Sequence, residues 1–353
     1  MRILEIGPSP EKSKGGMATV IEGIIKDKNL NESFDIDAYP SYIDGNLVIR
    51  AVYSVFSIFR FFTVYKKYDL FHIHVASYGS TFRKKWYVDF LMKHGKKIII
   101  HVHGGGYLIF YNKINQRKKK KVIDFLKSAN MVIALSDKWK KDFEQTFGLT
   151  NCVALNNGIN TEEFKKAQVN EVKFKDNFLF LGRLSEQKGA YDLVDAIAKV
   201  KEQRVKIKLF MAGDGEINKV NSLVQEKNLQ DYIEVIGWVN FDQKIKYLQQ
   251  VSTVVLPSYN EGLPMSILEG MASGKAIIST TVGAIPEVVK KENGILISPG
   301  DVNALADALI RCSCDIKMLE SVSKNNVAKI DNEFSQKKMH EELARYYKQV
   351  MKE

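Results

Sequence analysis

Apolar residues along this chain gather in short unbroken runs, separated by longer stretches where they recur every three or four positions. The runs at 3–6, 70–74, 98–102, 131–135 and 152–155, then at 178–181, 206–211, 233–236, 253–256 and 276–279, read as strands buried on both faces. Between them the period becomes helical, as over 17–27, 82–94 and 113–127. Strand and helix alternate in this way through two successive halves. Such alternation predicts right-handed βαβ units and an α/β fold of two doubly wound, Rossmann-like domains facing across a cleft. The polar stretch 158–176, rich in Lys, Asn and Glu, marks the join. Expected boundaries are therefore a first domain over 1–165 and a second over 166–334. An amphipathic last segment follows at 335–353, with no strand after it.

A length of 353 residues suits two ordinary cores, and 45% hydrophobic residues is a globular composition. Cys152, Cys312 and Cys314 have neither metal-ligand spacing nor a paired framework, which points to a reducing, cytoplasmic setting. The N-terminus reads as a strand running into a glycine turn and lacks the apolar length of a secretory signal. The most membrane-like stretch, 47–65, is interrupted by Arg50 and Arg60 within the roughly 18 residues a span requires. Charge does change the picture. Of the net +11, residues 1–165 carry 26 Lys and Arg against 16 Asp and Glu, a balance of +10, so the first half is expected to meet something anionic.

Candidate chemistry lies where strands turn into helices, the end of an open α/β sheet at which ligands bind. Ser258-Tyr-Asn-Glu261-Gly-Leu-Pro-Met-Ser-Ile-Leu-Glu269 follows an apolar run and sets two carboxylates eight positions apart around a Gly-Leu-Pro turn. Pro264 suits the first turn of a helix. Glu261 is then expected on a strand-end loop, with Glu269 about two turns into the helix. The helix N-terminus aims N–H groups that favour an anion such as a diphosphate. Carboxylates for hydroxyls beside a positive helix end describe a nucleotide-sugar site.

Four further turns join it. Gly15-Gly16 opens a helix after the first strand and lets backbone approach a ligand. His103, before three glycines, offers a neutral hydrogen-bonding group. Arg183 and Lys188 lie on the loop after the first strand of the second half, where a metal-free enzyme needs fixed cations on a leaving diphosphate. Gly213 and the Gly237-Trp238-Val239 turn end two more strands and shape a nucleotide pocket. His72/His74 and His101/His103 each share a strand face. No further ligand is evident near them in the sequence, so structural roles outweigh metal binding.

As a set, Gly15-Gly16, His103-Gly104, Asn157-Gly158, Gly182-Arg183-Leu184 with Lys188-Gly189, and Glu261 with Glu269 resemble the retaining glycosyltransferases of family 4 over essentially the whole chain. The resemblance implies the GT-B architecture, with a first domain for the acceptor and a second for the donor. It implies that Arg183 and Lys188 neutralise the donor diphosphate and Glu261 holds the sugar's hydroxyls. Backbone N–H groups of Gly262, Leu263, Pro264's neighbours and Met265 assist, and Glu269 binds the ribose. Gly15 and Gly16 close over the donor, His103 lies near the transferring carbon, and the last helix returns to the first domain. Anomeric retention, a UDP-sugar donor and no essential metal or cofactor are implied as well.

The acceptor is expected to be a lipid-linked glycan of surface polysaccharide synthesis. Aromatic residues Phe56, Phe59, Phe61 and Phe62, set among Arg50, Arg60, Lys66 and Lys67, fit either a core helix or a surface docking on anionic lipid at the inner face of the membrane. The run Arg117–Lys121 adds charge to the same domain. A nucleic-acid-binding role is disfavoured, since no recognisable motif accompanies the charge. Gly270 to Lys275 is one residue short of a P-loop and places its glycines at a helix end. An epimerase or a phosphorylase on the same scaffold is the closer alternative.

Overall fold

A computed structural model describes residues 1–13, 15–45, 47–168 and 174–352, with the Leu47 side chain left aside. The chain divides into two compact units: Met1–Gly158 with Gln336–Glu353, and Ile159–Ser335. Each holds one six-stranded parallel sheet.

The first sheet contains β1 (Arg2–Pro8), β2 (Asp35–Tyr42), β3 (Leu70–Val75), β4 (Lys97–Val102), β5 (Met131–Ala134) and β6 (Cys152–Ala154). Their spatial order is β2-β1-β3-β4-β5-β6. Because side chains alternate along a strand, the sheet has two different faces. Leu4, Ile6, Phe71, Ile73, Ile98 and Ile100 pack on one side with Tyr87, Leu91 and Phe125 from helices Gly79–Lys93 and Gln116–Lys127. The intervening positions include Glu5, His72, His74 and His101, all buried. Helix Gln336–Lys352 belongs to this unit. Its Tyr346 donates to the Ala154 carbonyl at 2.8 Å, and its His340 meets Asp27 at 2.7 Å.

The second sheet contains β7 (Asn177–Leu181), β8 (Lys208–Ala212), β9 (Ile233–Gly237), β10 (Thr253–Leu256), β11 (Ala276–Thr280) and β12 (Gly294–Ile297). Its order, β12-β11-β10-β7-β8-β9, reverses direction between β7 and β10, where doubly wound sheets bind their ligands.

Several expectations shift. β2 and β12 were not anticipated. The helix expected over 113–127 is two, Tyr107–Lys113 and Gln116–Lys127, with the Asn115 side chain accepting from the Lys118 N–H at 3.0 Å to start the second. The division falls after Gly158 instead of after 165, because Ile159 and Phe164 bury themselves in the core of the second unit. The Ile159 N–H also donates to the Phe334 carbonyl at 2.9 Å. Residues 169–173 of the expected linker, and Lys14 in the loop before Gly15, lie outside the described residues.

Helix Leu47–Val64 is packed along one side only. Phe61 is fully buried, its ring 4.9 Å from Tyr87 and 5.5 Å from Tyr39, and the Ser57 hydroxyl lies 2.8 Å from that of Tyr87. Val48, Val52, Val55, Phe56 and Phe59 form the opposite stripe at helical spacing, all more than half exposed. The core-helix expectation therefore holds for a single face.

Candidate active site

In the second unit the loop after β10 carries Glu261, whose side chain is only 8% exposed. Its Oε1 accepts from Lys188 Nζ at 2.5 Å and from the Ser258 hydroxyl at 2.7 Å. Ser258 is itself held, its carbonyl accepting from the Thr280 hydroxyl at 2.6 Å at the end of β11. Lys188 ends a short 3-10 turn after β7, and Gly189 follows in the left-handed region at φ 69°. A side chain at 189 would drive its Cβ to 2.1 Å from the Pro257 carbonyl, so glycine is required for the β7 and β10 loops to touch. That approach brings Lys188 and Glu261, distant in sequence, to the reversal point of the sheet.

Arg183 lies exposed on the same β7 loop. The Gly182 N–H donates to Ala212, Leu184 N–H to Asp214, and Gly213 N–H to Gly237, at 3.0, 2.7 and 2.8 Å. These bonds stitch the ends of β7, β8 and β9 into one rim that carries Arg183, Gly213, Gly237 and the partly buried Val239. At Gly213 a Cβ would sit 1.7 Å from the Gly182 carbonyl, which is the closeness this rim needs.

Gly262, Leu263 and Pro264 form the turn into helix Met265–Ala272, with Leu263 anchored in the core. Pro264 precedes the helix with φ −71° and ψ 128° instead of lying inside its first turn. Glu269 is the fifth residue of this eight-residue helix, so it stands one turn in, not two. Its Oε1 accepts from Lys244 Nζ at 2.6 Å, a contact the sequence did not reveal. Gly270 is inside the helix and Gly274, at φ 68°, follows its end, so the glycines near Lys275 close a helix and form no phosphate loop. Burial presses the Lys275 amine down to about 8.

In the first unit Gly15, at φ 118°, caps helix Gly16–Lys26. His103 follows β4 with its N–H bonded to the Val75 carbonyl at 2.8 Å. Behind it lies a cluster that sequence reasoning saw only in part. Parallel register sets Glu5 beside His72, and His74 beside His101. Glu5 Oε2 lies 2.6 Å from His74 Nε2, and His74 Nδ1 lies 2.8 Å from His103 Nε2. Glu5 Oε1 lies 3.1 Å from His72 Nδ1 and 2.7 Å from the Tyr347 hydroxyl, while His72 Nε2 lies 3.2 Å from His101 Nδ1. Burial holds His74 and His101 well below the usual imidazole range and brings His103 down to about 3, the neighbouring histidines adding to the effect. His72, His74 and His101 place one ligand atom each within 4.8 Å of one another, a possible metal-donor set. Ring-to-ring hydrogen bonds already engage His72 Nε2 and His74 Nδ1, and Glu5 engages their other nitrogens. Glu5 escaped notice because it is a single residue inside an apolar strand, and only the register of β1 with β3 reveals its partners.

Residues 27–163 match the family described as Glycosyltransferase Family 4, and residues 175–315 match Glycosyl transferases group 1. An uncharacterized glycosyltransferase of Methanocaldococcus jannaschii is 29% identical over 76% of this chain and 71% of its own length. The putative colanic acid biosynthesis glycosyltransferase WcaL of Escherichia coli is 26% identical over 61% of this chain, which matches about half of that protein, 55%. The Anabaena protein Alr3699/HepE, solved in complex with UDP-glucose, superposes with a TM-score of 0.80 over 99% of this chain and 100% of its own at 17% identity, a likeness of fold. The chain belongs to the glycosyltransferases, with a family 4 domain followed by a group 1 domain and the GT-B fold.

Proposed function

We propose that the chain transfers a hexose or N-acetylhexosamine from a UDP-sugar, with retention of anomeric configuration, to a lipid-linked glycan of surface polysaccharide synthesis. The observation that carries this reading is the contact of Lys188 with Glu261 at the reversal point of the second sheet. Departure of a sugar from a diphosphate develops negative charge on the phosphate and positive charge on the ring. Lys188 and Arg183 supply cations for the first, and Glu261 an anion that accepts from the sugar's hydroxyls. Before the donor arrives the two charges satisfy each other, so the donor exchanges one ion pair for two better-placed sets of contacts. Glu269, one turn further along its helix, is the acceptor for ribose hydroxyls. No metal or cofactor is required by this arrangement of charges. The UDP-glucose held by the Anabaena protein favours uridine as the base, and the colanic acid relative favours a polysaccharide acceptor.

The acceptor reaches the protein at an anionic bilayer. Support comes from the exposed stripe Val48, Val52, Val55, Phe56 and Phe59, flanked by exposed Lys66 and Lys67. The helical segment Val48–Lys67 is long and apolar enough to cross a membrane by length and composition, and little of it is buried. Its inner face is bonded into the first unit through Phe61 and Ser57, which favours lying on the surface.

Incubation of UDP-glucose and of UDP-N-acetylglucosamine with a polyprenyl-linked glycan, followed by NMR of the product, tests the reaction. An α-linked product supports retaining transfer. Release of a C4-epimer, or of a sugar phosphate dependent on inorganic phosphate, moves the assignment to an epimerase or a phosphorylase.

A further inference from the structure

We propose that Glu5 is a positioning residue that, through His74, fixes the tautomer of His103, so that His103 keeps its proton on the inward Nε2 and presents a lone pair on Nδ1 at the C-terminal end of β4. The functional half rests on the reading that His103 serves sugar transfer; the tautomer does not.

With Glu5 as the carboxylate, the run from its Oε2 through His74 to His103 has one solution. Glu5 is a carboxylate facing three donor groups and offers only lone pairs, so His74 must turn an N–H toward it from Nε2, across 2.6 Å. Neutral imidazole has one N–H, so His74 Nδ1 carries a lone pair. The 2.8 Å contact to His103 then requires the proton on His103 Nε2, leaving Nδ1 as the acceptor. A second branch follows the same rule. His72 Nδ1 lies 2.9 Å from Glu5 Oε2 and 2.9 Å from the Tyr347 hydroxyl; with the hydroxyl donating to Glu5 Oε1, His72 donates from Nδ1 to Glu5, accepts from His101 Nδ1 at 3.2 Å, and leaves a lone pair on His101 Nε2. That nitrogen is buried and has no hydrogen-bond partner among the described residues. A bare lone pair is cheaper to bury than a bare N–H, which agrees with the assignment. The buried carboxylate sets His74 and His103 directly and, with the Tyr347 hydroxyl, His72 and His101; of these His103 is partly exposed.

The consequence is directional. An outward lone pair accepts a hydrogen bond from a sugar hydroxyl. An outward N–H would require that hydroxyl to turn round and give up its other partner.

The test is the 15N spectrum of histidine-labelled full-length protein, in the wild type and in Glu5→Gln. In the wild type His103 is expected to show protonated Nε2 and unprotonated Nδ1. In Glu5→Gln an NH2 turned toward His74 and His72, with the amide oxygen kept on the Tyr347 hydroxyl, swaps the protons of His74 and His103 between their ring nitrogens. With UDP-glucose or UDP-N-acetylglucosamine as donor, kcat is expected to fall about ten- to a hundredfold at nearly constant KM, as for loss of one aligned hydrogen bond. Tyr347→Phe removes a donor from the same carboxylate without touching the relay and should keep both the spectrum and kcat. Protonated Nδ1 on wild-type His103 overturns the proposal even if Glu5→Gln does not fold. A swapped tautomer with unchanged kcat overturns its functional half. Should the wild type transfer neither sugar, the function proposed above is at fault, and the spectrum still decides the tautomer.

Discussion

Lys188 and Glu261 are bound to each other at 2.5 Å, yet each tolerates loss of the other differently. The Lys188 side chain is 30% exposed and can swing into water; that of Glu261 is 8% exposed and cannot. Lys188→Ala leaves a nearly buried carboxylate with Ser258 alone. Breaking a fully buried ion pair costs about 3–5 kcal/mol, and partial exposure puts this case at or below the lower end. Glu261→Ala leaves a lysine that hydrates itself. Both variants are expected to lose transfer, but only Lys188→Ala should melt markedly lower, which calorimetry of the two side by side would check. Equal melting with near-normal turnover in Glu261→Ala would remove Glu261 from the site. These two residues and Arg183 were legible as candidates because each sits on a strand-end loop in a run of distinctive turn residues, and Glu269 because it follows such a turn on the next helix. Lys244 and Glu5 were not, because their partners lie on other elements.

At the scale of elements, most strands that sequence reasoning found are buried on both faces, where apolar runs are continuous, and the partly exposed edges β6 and β9 were found because they too read as apolar runs. The two it missed are both sheet edges. β2 reads Asp-Ile-Asp-Ala-Tyr-Pro-Ser-Tyr, with polar residues alternating and a proline that an edge tolerates and a centre would not. β12 is four residues long and begins with a glycine. Helix Leu47–Val64 was ambiguous for a related reason: both its faces are apolar, and only packing shows which is covered. Phe56→Glu with Phe59→Glu, on the uncovered stripe, should abolish co-sedimentation with phosphatidylglycerol vesicles at low salt while leaving the melting temperature within a degree or two. Unchanged sedimentation of the double variant, or no binding by the wild type, would remove the membrane from the account.

Over the whole molecule, two sheets divide the labour that the charge distribution announces. Residues 1–158 carry 25 Lys and Arg against 14 Asp and Glu and lie in the unit that bears the exposed helix, while Ile159–Ser335, with 22 against 24, forms the unit with the paired Lys188 and Glu261. The buried histidines also give the molecule a pH signature. His74, His101 and His103 stay neutral in the folded state, the last down to about 3, whereas in the unfolded chain they take up protons near 6.5. The unfolded state therefore binds more protons below about 6.5, and stability falls as pH drops through that window and is complete above it. Melting temperature should be flat from pH 8 to 7 and decline steadily from 6.5 toward 4. A value that holds or rises over that range would mean that the cluster is already charged in the native state.

The central claim is that the loops after β7 and β10 form a site for a uridine diphosphate sugar. Thermal shift of the purified protein with UDP, GDP, dTDP and ADP, and with their common sugars, tests it most directly, because a ligand of the folded state alone raises its apparent stability. The account predicts a selective rise with UDP and one UDP-sugar, lost in Arg183→Ala for UDP while a weaker response to uridine survives. No shift with any nucleotide, or an equal shift in Arg183→Ala, would contradict it.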